Sequence, residues 1–445
     1  MQQRNQQHPP RFFALLMAAL LSIGALTAPN AYAQERAAWK QADDARQERL
    51  NTPSYDEGER LKIGVQAVGV MQLLSQSNDG NTLPDIEGGF QSAAGNLTLD
   101  ARITDGIDVY AELYLSSPNH QGDVYDREGY LYIDYLPELF GPVNGLFKYV
   151  DLKAGHMELN FGDEHYYRSD VAQVMDNPLI GNYIVDPNTI GVGVELYGFA
   201  GPVTAMIGYN SGATTGDFTD GHRNAWLGKV ALGRLEGPYR LSGSFYRVNQ
   251  SRNGPGYPLG GSSSNLFAGN FSGSRYAAIW DGSATAGQLT LGGGQDVTAY
   301  QIDGRATPAE GFTLSGVYGW FQDDDTNGFF VNPGAGRTGD DGNPTDEWMY
   351  YGVTAQYYVA KPLYVAARYN AAAAQTLGDA SAEGTVQRVQ AGFGLWVVPK
   401  QLLFKVEYVN QWASDFAPNA ARLRSLDLAT DPTFYGVVAE IAVNF

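Results

Sequence analysis

From Leu61 to the end of the chain, apolar residues alternate with polar or small ones in sixteen segments: 61–74, 92–103, 106–116, 127–135, 148–159, 188–200, 202–210, 223–234, 238–248, 295–307, 310–322, 346–359, 362–372, 385–398, 401–412 and 433–445. Successive side chains of a strand point to opposite faces, so each segment reads as a strand with two unlike faces. The connections alternate too. Thr104-Asp105, Gly201-Pro202, Leu235-Glu236-Gly237, Pro308-Ala309-Glu310, Ala360-Lys361-Pro362 and Pro399-Lys400 are short. Those between them are long: 75–91, 117–126, 160–187, 211–222, 249–294, 323–345, 373–384 and 413–432. Strands joined this way run up and down, with every tight turn at one end. An even number lets the last strand pair with the first and abolishes the sheet edges. The connection 136–147 is longer than its class and reads as a bent hairpin. A further hairpin around 275–291 would raise the count to eighteen.

The last segment says what the exterior meets. Tyr435, Val437, Ala439, Ile441, Val443 and Phe445 share one face, while Glu440 and Asn444 lie on the other. An exposed apolar terminal strand invites aggregation in water, whereas a lipid-facing strand needs that face. Leu97, Leu99, Ile103, Ile107, Val109, Leu113, Val192, Val194, Leu196, Leu402, Phe404, Val406 and Tyr408 extend the pattern. Tyr135, Trp226, Tyr239, Trp320, Trp396 and Trp412 fall near strand ends, where aromatic girdles sit, although the register turns Trp396 inward. The fold class expected is all-β, a transmembrane antiparallel barrel over 61–445. On this pattern the chain resembles Gram-negative outer-membrane β-barrel proteins. That resemblance makes Tyr435, Ile441, Val443 and Phe445 the signal read by the barrel-insertion machinery. It implies outer-membrane lipid and lipopolysaccharide as surroundings.

Residues 1–33 read as a signal peptide: Arg4 and Arg11, an apolar stretch from Phe12 to Ala28, and Ala31-Tyr32-Ala33 as cleavage site. Residues 34–60 are charged and read as a periplasmic leader. Removing Arg4 and Arg11 takes the formal charge from −19 to −21, which argues against nucleic acid as a partner. With no Cys there is neither a disulfide framework nor a thiolate metal site.

Strand parity turns one set of charges toward the lumen. The bases are Lys62, Arg102, Lys153, Lys229, Arg240, Arg305, Arg368, Arg388 and Lys405; the acids are Asp100, Asp108, Glu112, Asp134, Asp151, Glu195, Asp303, Glu407 and Glu440. Acids gather on the second to sixth strands and bases on the eighth to fifteenth. Two readings follow. The arcs face each other and set up a field across the pore, or the charges pair locally: Asp100 with Arg102, Asp303 with Arg305, Lys405 with Glu407. Tyr110, Tyr114, Tyr130, Tyr132, Tyr246, Tyr350, Tyr358 and Tyr364 also point inward on this parity.

The third long loop, 160–187, is too apolar for a solvated loop, with Tyr166, Tyr167, Val171, Val174, Met175, Leu179, Ile180, Tyr183 and Ile184. The chain is similar in layout to sixteen-stranded general porins, whose third loop folds into the lumen. The resemblance implies a constriction carrying Asp163, Glu164, His165, Arg168, Asp170 and Asp176, and a homotrimer. The Pro-Glu-Phe-Gly-Gly motif of many general porins is absent. Phosphate-selective porins share the layout, but their ladder of arginines and cluster of lysines are not matched here.

Asp323-Asp324-Asp325 and the stretch 339–347 are acidic, but their spacing is not that of a Ca²⁺ loop, and no metal or cofactor is expected. His156 with Glu158, or His165 with Asp163 or Ser169, lacks a nucleophile motif, so no enzyme is expected. The sequence points to a porin for passive diffusion of small hydrophilic solutes. The alternative is a substrate-specific channel for an oligosaccharide or organic anion.

Overall fold

The computed structural model describes residues 60–90, 94–116, 124–136, 145–147, 149–170, 173–210, 225–248, 266–267, 275–280, 286–289, 296–324, 345–377, 380–418, 422–423 and 426–445. The signal peptide, nearly all of the leader, residues 325–344 and several loop stretches lie outside them.

Sixteen long strands form one antiparallel sheet: β1 (Leu61–Ser77), β2 (Ala94–Thr104), β3 (Ile107–Ser116), β4 (Tyr125–Ile133), β5 (Val150–Glu158), β6 (Ile190–Ala200), β7 (Val203–Asn210), β8 (Ala225–Gly233), β9 (Tyr239–Val248), β10 (Val297–Ala309), β11 (Phe312–Asp323), β12 (Asp346–Ala360), β13 (Leu363–Leu377), β14 (Thr385–Val398), β15 (Leu402–Ser414) and β16 (Thr433–Asn444). Each pairs with its neighbours in sequence. The sheet closes where β1 meets β16, from Gln66 opposite Asn444 to Ser77 opposite Thr433. Phe445 finishes the seam: its carbonyl accepts from the Val65 amide at 2.7 Å, and its own amide donates to Val65 at 3.1 Å. Every strand therefore has two partners and no backbone edge meets lipid.

The expected strands are all present, most of them to within two residues. The largest departure is β13, which runs to Leu377 instead of ending near 372. Ala371 to Ala374 give no alternation to read, yet their backbone pairs with β12 and β14. Of the further hairpin around 275–291, the described residues 275–280 and 286–289 form no strand; sixteen long strands close the barrel, and two-residue strands at Gly89–Phe90 and Ala380–Ser381 add to the sheet. In the connection 136–147, residues 145–147 form a single helical turn.

The exterior carries the predicted apolar face. Val437, Ile441, Ile103, Val192 and Val194 are among its exposed side chains. Trp226 packs beside Tyr209 near the long-loop end, and Tyr239 stands exposed at the short-turn end.

The interior is not uniformly polar. Toward β10–β16, inward residues such as Val297, Phe321, Trp348, Ala372, Val386, Val409, Phe434 and Val438 join one buried apolar cluster. Val68, Val70 and Leu74 of β1, Tyr197 of β6 and Leu227 of β8 belong to it as well, and two inward-folded chain segments supply much of the rest. One is 159–185. The other comprises 266–267, 275–280 and 286–289 of the long connection after β9. Leu266, Ile279 and Trp280 are almost fully buried, and Phe267 stacks on Phe321 with centroids 4.4 Å apart. Each such large side chain removed from water contributes roughly 1.5–3 kcal/mol. That term keeps the second segment inside the barrel instead of over its mouth.

Candidate functional site

The segment from Leu159 to Pro187 leaves β5, crosses the lumen and returns to β6. Three groups of bonds hold it. Near its start, Asp163 sits between two wall cations. Lys229 Nζ is 2.8 Å from Oδ1, and Arg240 donates from Nε at 2.6 Å and Nη2 at 2.9 Å. Asp163 precedes a single 3-10 turn, Glu164–Tyr167. Burial alone would raise the Asp163 carboxyl, but Lys229 and Arg240 hold it below the usual carboxylate range. Burial and the neighbouring Lys229 charge keep His165 neutral, well below its ordinary 6.5; its Nδ1 lies 2.8 Å from the Gly162 carbonyl. Burial pushes Glu164 up to about 7, against the pull of Arg368.

The second tether is Asp170. It accepts from Tyr114 at about 3 Å and pairs with Arg127 at 3.0 Å and Arg168 at 2.9 Å. Arg168 also reaches Asp186 at 3.0 Å, which braces the two limbs of the loop.

The third tether fixes the tip by its backbone. Lys405 Nζ donates to the carbonyls of Val174, Asn177 and Leu179 at 2.9–3.3 Å, and pairs with Glu440, its cross-strand neighbour, at 2.7 Å. Glu407 Oε2 accepts the amides of Ile180 (2.6 Å) and Gly181 (3.2 Å). Arg368 donates to the Gly181 carbonyl at 2.8 Å and to Asn177 at 3.0 Å. Arg388 donates to the Asn182 carbonyl at 2.6 Å and to the Ala286 carbonyl at 2.9 Å, joining both inward segments to the wall. A buried polar group without a partner costs about 1–3 kcal/mol, so wall and loop satisfy each other.

The basic arc is thus spent on the loop, and it does not face the acidic arc across open water. Nor do the local pairs form as expected. Arg102 pairs with Asp108 directly across β2 and β3, Lys405 takes Glu440, and Asp303 accepts from Gln301 at 2.7 Å. Antiparallel registry sets side chains of adjacent strands about 5 Å apart, closer than same-face neighbours along one strand. Glu195 accepts the Asn160 amide at 3.1 Å, and Arg305 lies over the Tyr167 ring at 4.6 Å. Asp134 is buried just beyond β4.

On the other side a cavity of about 230 Å³ remains between the loop and β1–β6. Asn160, His165, Tyr166, Gln173 and Asp176 face it from the loop; Tyr110, Glu112, Arg127, Glu128, Tyr130, Tyr132, Lys153, Glu158 and Tyr197 are among those facing it from the wall. Of the loop residues singled out in the sequence, His165 and Asp176 line this space. Asp163, Arg168 and Asp170 serve as tethers.

Glu128 shares the inward parity of Tyr130, Tyr132 and Asp134, although it is not among the lumen charges read from the sequence, whereas Arg127 has the opposite parity. The β3–β4 register shifts there: Glu112 faces Glu128, but Leu113 faces Asp126. This bulge leaves Arg127 unpaired in the ladder and turns it inward beside Glu128. Arg127 then meets Glu112 at 2.9 Å, Glu158 at 2.8 Å and Asp170 at 3.0 Å, and also touches Glu128. The signal available was compositional: adjacent Arg and Glu, with an Asp before them, do not belong on a lipid face.

No protein-family model and no curated sequence matches the chain. Solved structures do. The anion-selective porin from Comamonas acidovorans aligns with a TM-score of 0.53 at 12% identity, over 86% of this chain and 99% of that one. The outer membrane channel DcaP of Acinetobacter baumannii gives 0.52 at 13%, over 88% and 99%. Salmonella typhi OmpF gives 0.50 at 14%, over 88% and 99%. At these identities the likeness is one of fold: a closed, sixteen-stranded outer-membrane porin barrel.

Proposed function

We propose that the protein is a porin of the outer membrane that admits small hydrophilic solutes down their gradients. One arrangement carries the reading: a closed barrel with an apolar exterior, crossed inside by a loop that leaves a polar cavity. A passage lined by ionised groups and tyrosine hydroxyls passes hydrated solutes and resists apolar ones. In this reading Asp163, Arg168 and Asp170 set the loop's position, and Asp176, His165 and Glu112 face the solute. Residues 1–33 direct export, 34–60 form a periplasmic leader, and the barrel assembles as a homotrimer amid lipopolysaccharide. The strand ending in Phe445 is presented to the insertion machinery.

A second reading, a channel with a binding site for an oligosaccharide, draws on the tyrosines around the cavity. Tyr110 and Tyr130 lie 5.0 Å apart, a pair of ring faces on which a sugar can stack. Planar-bilayer recording of the refolded barrel tests both. Large ohmic openings in steps of three support the diffusion porin. Small openings blocked by one sugar support the specific channel. A folded barrel that never conducts refutes both.

A further inference from the structure

The lumen divides its charges unevenly between the tethers and the cavity. Lys229 and Arg240 are committed to Asp163, Arg368 and Arg388 to loop carbonyls and amide side chains, and Lys405 to loop carbonyls and Glu440. The described charges that face the cavity are Glu112, Glu128, Glu158 and Asp176, against Arg127 and Lys153. His165, held neutral, adds nothing to the positive side.

The single Arg127 guanidinium serves Glu112, Glu128, Glu158 and Asp170 at once, so its charge is more than cancelled where it sits. Glu158 gives Oε2 to Arg127, while its Oε1 has no hydrogen-bond partner in the protein, on a side chain that is 5% exposed and lines the cavity. A buried carboxylate oxygen left without a donor is open to one arriving from the passage. The wall beside it already seats a cation on an aromatic face: Lys153 Nζ stands 4.1 Å from the Tyr130 ring centroid. Carboxylate oxygens and a ring face together are what an ammonium or guanidinium group recognises.

We infer that the passage is cation-selective, and that its preferred organic solutes carry an ammonium or guanidinium group. This rests on the porin reading. Asp176 on the loop and Lys153 on the wall then set the preference from opposite sides.

The test is the reversal potential of the refolded barrel in a potassium chloride gradient, with liposome swelling in arginine and in glutamate. The expected result is a cation-side potential and faster entry of arginine. Asp176 is exposed and bears none of the tethers, so Asp176→Asn and Asp176→Lys leave the fold intact. Each unit of charge changed lowers the potassium-to-chloride ratio about sixfold, because one charge across ~8 Å of water moves the two ions about 2.4-fold in opposite directions. Lys153→Gln raises the ratio by a similar factor. Zero or anion-side potential in an open channel, or a ratio unmoved by all three variants, overturns the inference and leaves the diffusion reading standing. A folded barrel without conductance overturns both.

Discussion

Asp163 holds two buried cations, and its removal strands both. Taking one partner from a buried ion pair costs about 3–5 kcal/mol, because the remaining charge is left without compensation. Asp163→Asn is therefore expected to release the start of the loop while the barrel keeps its strands. Protease cleavage within 160–187 and a larger single-channel conductance, with unchanged circular dichroism, would register it. The pH dependence of loop docking follows from four of its residues. Asp163 is held below 3.8 in the docked loop, so its contribution is complete above that value and is lost as pH falls further. His165 is held below 6.5, so docking weakens as pH drops under 6.5. Glu164 acts oppositely: lifted from 4.5 to about 7, it favours docking as pH falls through that window. His165 and Glu164 offset each other between 6.5 and 4.5, and Asp176, which desolvation inside the barrel lifts from 3.8 to about 6, favours docking further as pH falls. Loop protection against protease should hold to about pH 4.5 and fail below 3.8, and a steady loss from pH 7 downward would contradict this balance.

Among the elements, β16 shows the consequence of alternation on a closed barrel. Val437 points out near mid-strand, and Lys405 and Glu440 point in as a pair. Val437→Lys places a cation on the lipid face and should cost about 2–4 kcal/mol, measured by urea unfolding in bilayers. The loop tip depends on a close approach instead. At Gly181 a Cβ would lie 2.0 Å from the Tyr276 hydroxyl oxygen, which bonds to Glu407. Gly181→Val should separate the two inward segments and lower the thermal midpoint, whereas the same change at Gly243, where a Cβ meets nothing, should leave it unaltered.

For the whole molecule, the tethers set the described cavity between the loop and β1–β6. The backbone ties the two inward segments together, with the Leu289 amide donating to the Ile184 carbonyl at 2.8 Å. Replacing 275–289 by a short Gly-Ser linker should open space beside β14–β16 and raise conductance. Cation preference should fall, because the new route passes Arg388 and Lys405. An unchanged conductance would mean that the second segment does not limit flow.

Period-two alternation, the alternating lengths of the connections and the apolar face of β16 determined the barrel, its strand number and its outward face. These are local consequences of strand geometry and of a solvent without hydrogen bonds. The apolar excess of 160–187 likewise marked a buried loop. What alternation could not give was the contact between segments hundreds of residues apart. Whether Lys405 meets Glu407, Glu440 or the Val174 carbonyl depends on cross-strand registry and on where the loop lands. The bulge at Arg127 inverts the facing of one residue and leaves no periodic trace. The second inward segment, which joins Ala372, Val386, Val409 and Val438 in one apolar cluster, leaves no mark in the alternation of those strands. Charge placement across the lumen was decided by closure, which brings distant strands within hydrogen-bonding distance and makes each buried group find whatever partner stands there.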